Sequence, residues 1–470
     1  MERIWSPPTT ILRLPDELLA PLLQESVHVE HDTWRDDHSK PFLKSCNATT
    51  ARALISTCRR FHRLVTPLLY ANIQIQCNGV HTWKLATAHR TRLLHRTFRT
   101  NTSLWPHCRR LEIEFGASCY GGGPFDRESP VQNLMYIACD CLNWLTNIIE
   151  LRINCWAQSL VHEGQFQALL FPTRDDLLYL MRSAMDNLPH LRHLGLHTYQ
   201  EAMIDLPTVH TGLSRLKPDA FLRTLDLSGI THIGTNDDWE LLRAQAGTSP
   251  ISVLKLRHFT QGLQALEALV LWPAKLTSFD FSMPLSDHYS GEDPLTPYNL
   301  GVMQRVLSHQ KRFLSCIRLQ ELLDEGLYDF GVIDFHSLKT LSLGHGTTGT
   351  DSSSIANLVA PNCEVFCWDM VLEDQQHGEC LGHFRQPEED WLRAFAHVAI
   401  ARKSALRHMK ILYYPDDGAY NVDDEALKIL EYPWDRMDRL AQEIQPYGIH
   451  LSYNTPTTTR EEFEEMVSGP

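Results

Sequence analysis

The chain has 470 residues, 43% hydrophobic and 21% charged, with a net charge of −14 and a pI of about 5.9. This is the composition of a globular protein with a large core, and its acidic balance argues against nucleic acid as the default partner. No apolar run reaches the length of a membrane span, and the opening MERIWSPPTTILRLPDELL lacks the apolar centre of a secretory signal. The expected compartment is therefore reducing, cytosolic or nuclear, with the cysteines as thiols.

Leu14-Pro15-Asp16-Glu17-Leu18-Leu19 opens the first ordered element. Proline suits a first helical turn, where its missing N–H had no partner in any case. Asp16 and Glu17 then sit where the helix dipole favours negative charge. Leu18, Leu19, Leu22 and Leu23 recur at helical spacing. After the polar stretch HVEHDTWRDDHSK, a second helix is expected, with apolar positions Leu54, Ile55, Cys58, Phe61, Leu64 and Val65, ending at Pro67. So few short helices bury little surface alone, so this head should pack on a partner or on the rest of the chain.

LPDELL, followed by ALISTCRRFHRLVTPLLYANI, resembles an F-box of the fungal type, through its Leu-Pro start, its CRRF helix and its TPLLY exit. The resemblance implies a surface for a Skp-family adaptor and, through it, a cullin-based ubiquitin ligase. Carried over residue by residue, it makes Leu14, Pro15, Leu18, Leu19, Leu54, Ile55, Cys58 and Phe61 the candidate adaptor contacts, some of which must also be the head's own core. Residues 24–50 are longer and more polar than the usual link between the two halves. On this reading residues 1–79 are an all-helical head and 80–470 a second region. The second region opens with a basic stretch containing Lys84, Arg90, Arg92, Arg96, Arg99, Arg109 and Arg110, read as the solvated face of a helix.

From Cys108 onward one phrase repeats: apolar, two residues of any type, apolar, one of any type, apolar. It occurs as CRRLEI (108–113), IIELRI (148–153), LRHLGL (191–196), LRTLDL (222–227), ISVLKL (251–256), LTSFDF (276–281), LKTLSL (338–343), CEVFCW (363–368) and LRHMKI (406–411). Helical patterns such as LLYLMRSAMDNL, LQALEALVLW, LGVMQRVLSHQKRFL and WLRAFAHVAIARK lie between several copies. Strand then helix, in units of about 25–45 residues, is a solenoid signature. It resembles the irregular leucine-rich repeats that often follow an F-box. The fold class expected is α/β: a small all-α F-box-like module, then an irregular leucine-rich-repeat solenoid with a parallel sheet and outer helices.

Side chains alternate across a strand, so the last two apolar residues of each phrase should face the helices and their neighbours should look outward from a concave sheet. That assigns Arg110, Glu112, Glu114, Arg152, Asn154, His193, His197, Asp226, Lys255, Arg257, Asp280, Ser342, Asp369 and Lys410 to a polar floor suited to a protein partner. Residues 283–337 and 372–389 read as long interruptions of the array, and REEFEEMV at the C-terminal end as its cap.

Gly344-His345-Gly346-Thr347-Thr348-Gly349 matches GxGxxG after a strand, with Glu364 further on. Here it follows the seventh copy of the phrase and reads as a turn out of a repeat strand, with no cofactor implied. His28, Glu30, His31, Asp32, Asp36, Asp37 and His38 are ligand types in no zinc spacing, and Cys363, Cys367, His377, Cys380 and His383 read as strand thiols near a loop. No nucleophile elbow, P-loop or kinase set occurs. No metal or enzymatic activity is expected. The expected function is substrate recognition in a Skp–cullin–F-box ubiquitin ligase, with an unknown protein substrate and neither nucleic acid nor membrane as partner. A non-catalytic interaction scaffold whose F-box does not lead to ubiquitylation is the alternative.

Overall fold

The computed structural model describes residues 11–27, 47–78, 85–117, 130–157, 174–198, 205–213, 221–230, 239–259, 261–283, 298–320, 322, 329–370, 384–413, 415 and 431–468. Twelve strands pair in chain order in one sheet: β1 Asn72–Asn78, β2 Arg110–Ala117, β3 Glu150–Ala157, β4 His193–Thr198, β5 Thr224–Ser228, β6 Val253–Arg257, β7 Ser278–Ser282, β8 Cys316–Gln320, β9 Thr340–Gly344, β10 Val365–Met370, β11 His408–Tyr413 and β12 His450–Tyr453. The registered pairs are parallel, so the fold is the α/β, solenoid-like repeat that the sequence predicts. The chain divides into two compact units, Met1–Gly195 and Leu196–Pro470.

One bonding pattern explains the phrase. The carbonyl of its second residue accepts from two successive N–H groups of the next repeat. Arg109 O takes Ile149 and Glu150, Arg223 O takes Ser252 and Val253, and Ser252 O takes Thr277 and Ser278. Thr277 O takes Ser315 and Cys316, Ser315 O takes Lys339 and Thr340, Lys339 O takes Glu364 and Val365, and Glu364 O takes Arg407 and His408. The unrestricted positions of the phrase are thus the ones read through their backbone, where any side chain serves. The apolar positions are sealed: Leu222, Leu225 and Leu227 are buried, as are Leu276, Phe279 and Phe281. Burying each such side chain is worth about 1.5–3 kcal/mol.

In the first unit, helices α1 (Asp16–Val27), α2 (Ala48–Thr57) and α3 (Arg59–Ala71) form the head. Leu19, Leu23, Val27, Ala51, Phe61 and Val65 are its core, with Leu14, Leu54, Ile55, Cys58, Leu64 and Leu69 packed around them. Arg60 fixes the Leu-Pro start, bonding Asp16 Oδ1 at 2.7 Å and the Leu14 carbonyl, while Arg63 also holds Asp16. Three sequence expectations need correction. The second helix is two helices, split at Cys58, whose extended backbone lets its sulfur cap Phe61 N at 3.5 Å. Pro67 also lies inside α3 and does not end it. The lost hydrogen bond is outweighed because the residues beyond it still pack, Tyr70 meeting Phe98 edge-on at 5.9 Å. α3 then runs directly into β1, a strand within the span expected to be helical. Helices α4 (Leu85–Thr100), α5 (Pro130–Trp144) and α6 (Arg174–Asn187) complete this unit.

The second unit carries α7 (Leu206–Leu213), α8 (Glu240–Ala244), α9 (Leu263–Leu271), α10 (Leu300–Ser308), α11 (His345–Thr348), α12 (Ile355–Leu358), α13 (Gln386–Ala401), α14 (Pro433–Ile444) and α15 (Arg460–Ser468). The interruption expected at 283–337 is corrected: it holds a whole repeat, α10 followed by β8. Phe366 and Trp368 of β10 stack on Phe395 and Trp391 of α13, at 4.2 and 4.7 Å respectively. Buried Glu389 of α13 is gripped by Arg393 at 2.7 Å and by Arg436 and Arg439 of α14 at 3.1 and 2.8 Å. This ties the last helices together. The C-terminal cap forms as expected, with Phe463 of α15 buried against Tyr432.

At GHGTTG the chain leaves β9 through the four-residue helix α11. Its threonines are interior: Thr348 Oγ1 accepts from Trp368 Nε1 at 2.8 Å, and Thr347 Oγ1 from Leu322 N at 3.2 Å. Gly349 has φ +55°, a conformation that favours glycine. The third glycine therefore ends a short turn, where a dinucleotide motif would have it opening a long helix.

Candidate functional site: the polar face of the sheet

Register lines up the alternate side chains of the second unit in rows. Asp226, Lys255, Asp280, Arg318, Ser342, Cys367, Lys410 and Ser452 are successive partners from β5 to β12. Neighbouring strands lie about 4.8 Å apart, so the first four make a ladder of alternating charge, the favourable arrangement for cross-strand pairs. Two residues further along each strand run Ser228, Arg257, Ser282 and Gln320, with Asp369 on β10.

Burial follows a gradient. The row nearest the strand starts, including Thr224, Ser278, Thr340 and His408, is half-buried or exposed, whereas Ser228, Arg257, Ser282, Gln320 and Asp369 are buried. This corrects the expectation of an outward-looking floor. Glu112, Asn154, Asp226, Arg257, Asp280, Ser342 and Asp369 are buried; Arg110, Glu114, Arg152, His193, His197, Lys255 and Lys410 are half-buried. Sequence alternation separates the two faces of a strand but does not report what covers the polar one.

Two ion-pair groups anchor this face. His197 Nε2 lies 3.4 Å from Asp226 Oδ1, and Arg257 Nη1 lies 3.7 Å from the same oxygen. Burial alone would push the Asp226 carboxyl up; His197 and Arg257 overturn that and hold it well below the usual carboxylate range. Burial pushes the neighbouring His258 imidazole down to about 4, with Arg257 adding to the effect. Further along, Arg318 of β8 reaches over β9 to Asp369 of β10 at 3.0 Å, and Gln320 bonds the same carboxylate oxygen. The reach is open because β9 contributes only Ser342 and Gly344 beneath it. Cys367, beside them, is pushed up to about 12 by burial and by Asp369, so it is an inert thiol at neutral pH.

The first unit carries its own polar group. Arg110 and Arg152 bond Glu150 at 3.0 and 2.8 Å, Gln74 bonds Glu114 at 3.0 Å, and Asn154 bonds Glu112 at 2.5 Å. Burial first, then Glu114, raises the Glu112 carboxyl to about 7. Its folded value exceeds the unfolded one, so the folded state binds the extra proton between pH 4.5 and 7, and stability falls as pH rises through that window. The shift corresponds to about 3 kcal/mol. Glu112→Gln should therefore match the wild type below pH 4.5 and be more stable by about that amount above pH 8, read as the difference between two urea-denaturation series across pH.

Sequence reasoning missed Gln74 and Gln76 on β1, Arg318 and Gln320 on β8, and Ser452 on β12, because it missed those strands. Two of the three carry the phrase: Tyr70-Ala71-Asn72-Ile73-Gln74-Ile75 and Leu314-Ser315-Cys316-Ile317-Arg318-Leu319. The predicted head contacts divide. Pro15 and Leu18 are exposed, Leu19 and Phe61 are core, and Leu14, Leu54, Ile55 and Cys58 are partly buried against that core. Leu18 and Leu22, one turn apart on α1, are 57% and 45% exposed, and with exposed Pro15 just before Asp16 they form an apolar stripe at the start of the helix; Ile11, 52% exposed, lies in the preceding turn.

The ligand-type clusters at residues 28–38 and 377–383 lie outside the described residues. Among the described residues no group of three or more His, Cys, Asp or Glu is placed to hold a metal, and no helix is long and apolar enough to cross a membrane. The sheet is a repeat-like parallel fold with a polar face. No family model matches the sequence, and no curated protein matches it.

Proposed function

We propose that this protein is the substrate-recognition subunit of a Skp–cullin–F-box ubiquitin ligase in the cytosol or nucleus. Its helical head binds a Skp-family adaptor, and its repeat sheet holds a target protein. It performs no chemistry itself; it raises the local concentration of the target at the ligase. The observation that carries the reading is the exposed pair Leu18 and Leu22, with exposed Pro15 at the helix start, on a helix whose other side is the head's own core. Large apolar side chains exposed together at helical spacing mark a helix-in-groove contact. Pro15 and Leu18 also fall within the LPDELL segment on which the F-box resemblance rests, and Leu22 lies one turn beyond it.

The repeat sheet supports the second half of the reading. Repeat arrays offer extended binding surfaces, and the row of Thr224, Ser278, Thr340 and His408 is the accessible margin of the polar face. Behind it, Asp226 is paired with His197 and Arg257, and Asp369 with Arg318.

Leu18→Asp with Leu22→Asp should weaken adaptor binding at least about 100-fold while leaving the melting curve of the protein in place, since both side chains are solvent-exposed. Co-purification of a tagged Skp-family adaptor with wild type and variant reads this out. Equal recovery of the two would remove the adaptor proposal. Adaptor recovered without cullin would instead favour the non-catalytic scaffold.

A further inference from the structure

We propose that the acidic patch of β2 and β3 is a binding site for one basic side chain, a lysine ammonium or arginine guanidinium, of the target protein. The inference rests on the receptor reading only for the source of that side chain. The site itself follows from how the local hydrogen bonds are distributed.

Glu112, Glu114 and Glu150 bring three carboxylates together on the polar face of adjacent strands, against two guanidiniums, Arg110 and Arg152. Both arginines bond Glu150, at 3.0 and 2.8 Å. Glu114 Oε2 accepts from the amides of Gln74, at 3.0 Å, and of Gln76 on β1. Glu112 Oε1 accepts from Asn154 Nδ2 at 2.5 Å. Glu112 Oε2 and Asn154 Oδ1 are buried, and among the described residues no donor reaches either. Their residues are each 4% exposed, so solvent does not compensate them as it would at a surface. Leaving such an acceptor without a partner is unfavourable, more so for a charged group.

Both atoms are acceptors, so the missing partner is a donor. A cation meets the need better than a hydroxyl or an amide, because among the described residues of the patch the carboxylates outnumber the guanidiniums. Lysine carries three N–H donors on a thin stem, and arginine presents them in a planar fork. Either can bond Glu112 Oε2 and Asn154 Oδ1 together.

The groups facing Glu112 are Gln74 and Gln76 from β1, Glu114 and Arg110 on its own strand, and Glu150, Arg152 and Asn154 from β3. Among them Glu114 reinforces the burial effect that raises Glu112 to about 7. A proton therefore competes with the basic side chain for Glu112, and binding should strengthen about tenfold between pH 6 and pH 8 as the ionised fraction rises.

The test is a titration of the full chain, labelled with ¹³C at glutamate carboxyls and ¹⁵N at asparagine amides, with Nα-acetyl-lysine amide and Nα-acetyl-arginine amide. Nα-acetyl-norleucine amide is the uncharged control. A saturable shift of one glutamate and one asparagine signal is expected with the basic probes, tighter at pH 8 than at pH 6, and none with norleucine. Glu112→Gln should weaken binding at least about tenfold and Glu114→Gln several-fold, both variants keeping the wild-type fold by circular dichroism. Absence of a saturable shift up to tens of millimolar would overturn the proposal. So would binding that Glu112→Gln leaves intact, or a response to norleucine as large as to lysine. No adaptor or target enters this titration, so its failure leaves the receptor reading standing, and failure of adaptor binding leaves the cation site standing.

Discussion

Asp369→Ala is expected to destabilise the second unit by about 3–5 kcal/mol, the cost of breaking a buried ion pair from one side. Asp369 has no exposed side-chain surface, while Arg318 keeps 21%. Removing the carboxylate leaves a largely desolvated guanidinium two strands away and orphans the Gln320 amide that shares the same oxygen. The intervening β9 cannot substitute, because it offers only the Ser342 hydroxyl and Gly344 at that level. Asp369→Asn should cost less, since an amide oxygen still accepts from Arg318 Nη2. The decisive comparison is Asp369→Leu alone against Asp369→Leu with Arg318→Met. Buried pairs are often replaceable as pairs but not singly, so the double variant should recover most of the loss. Chemical denaturation of the four proteins measures it. A single-variant loss below about 1 kcal/mol would mean that solvent already reaches this carboxylate.

Trp391→Ala should destabilise the same unit by about 3–5 kcal/mol, the range for emptying a large aromatic site in a core. Trp391 is 1% exposed. It stacks on Trp368 at 4.7 Å and contacts Phe366 and Phe395 at 5.9 and 5.6 Å. Its indole N–H donates to the Asp351 carbonyl at 3.2 Å, so truncation also removes that hydrogen bond. Trp391→Phe keeps the stack but not that bond, and its smaller loss separates packing from hydrogen bonding. The cluster joins β10 to α13, and α13 holds α14 through Glu389 and its three arginines. Hydrogen exchange should therefore speed up first across α13 and α14 in the alanine variant. Uniform acceleration over the whole chain would show that the repeats unfold as one cooperative block.

Much of this architecture was legible in the sequence because one constraint repeats. A strand that must seal two alternate side chains under a helix, and present one carbonyl to its neighbour, needs apolar residues only at three positions of six. The eye finds that pattern where the apolar residues are large. Leu314–Leu319 fits it as well as LRTLDL does, but it sits in the long stretch 283–337 and its strand opens on Cys316, a small side chain that marks the pattern weakly. β12 carries the pattern only loosely. Pro67 misled for a different reason: proline opposes a helix by its local chemistry, but the packing of Leu69 and Tyr70 beyond it keeps α3 going.

The polar face was legible as a set of residues and not as an environment. Alternation places Asp226 and Asp369 opposite the core, and both are there. That they are sealed, paired with His197, Arg257 and Arg318, depends on tertiary contacts with no counterpart in local spacing. The small residues of β9 are the one local signal: Ser342 and Gly344 leave room for a long side chain to cross. The head shows the same division. Helical spacing places Leu18 and Leu19 in one apolar stripe, and only the position of α3 decides that Leu19 is core and Leu18 is exposed.

The central claim is that α1 docks the protein on an adaptor through its outer stripe. Titration calorimetry of a purified Skp-family adaptor into the full chain tests it most directly. The account predicts a one-to-one complex at micromolar affinity or tighter, with a negative heat-capacity change from apolar burial, abolished by Leu18→Asp with Leu22→Asp. No measurable heat at tens of micromolar, or a complex that survives both substitutions, would contradict it.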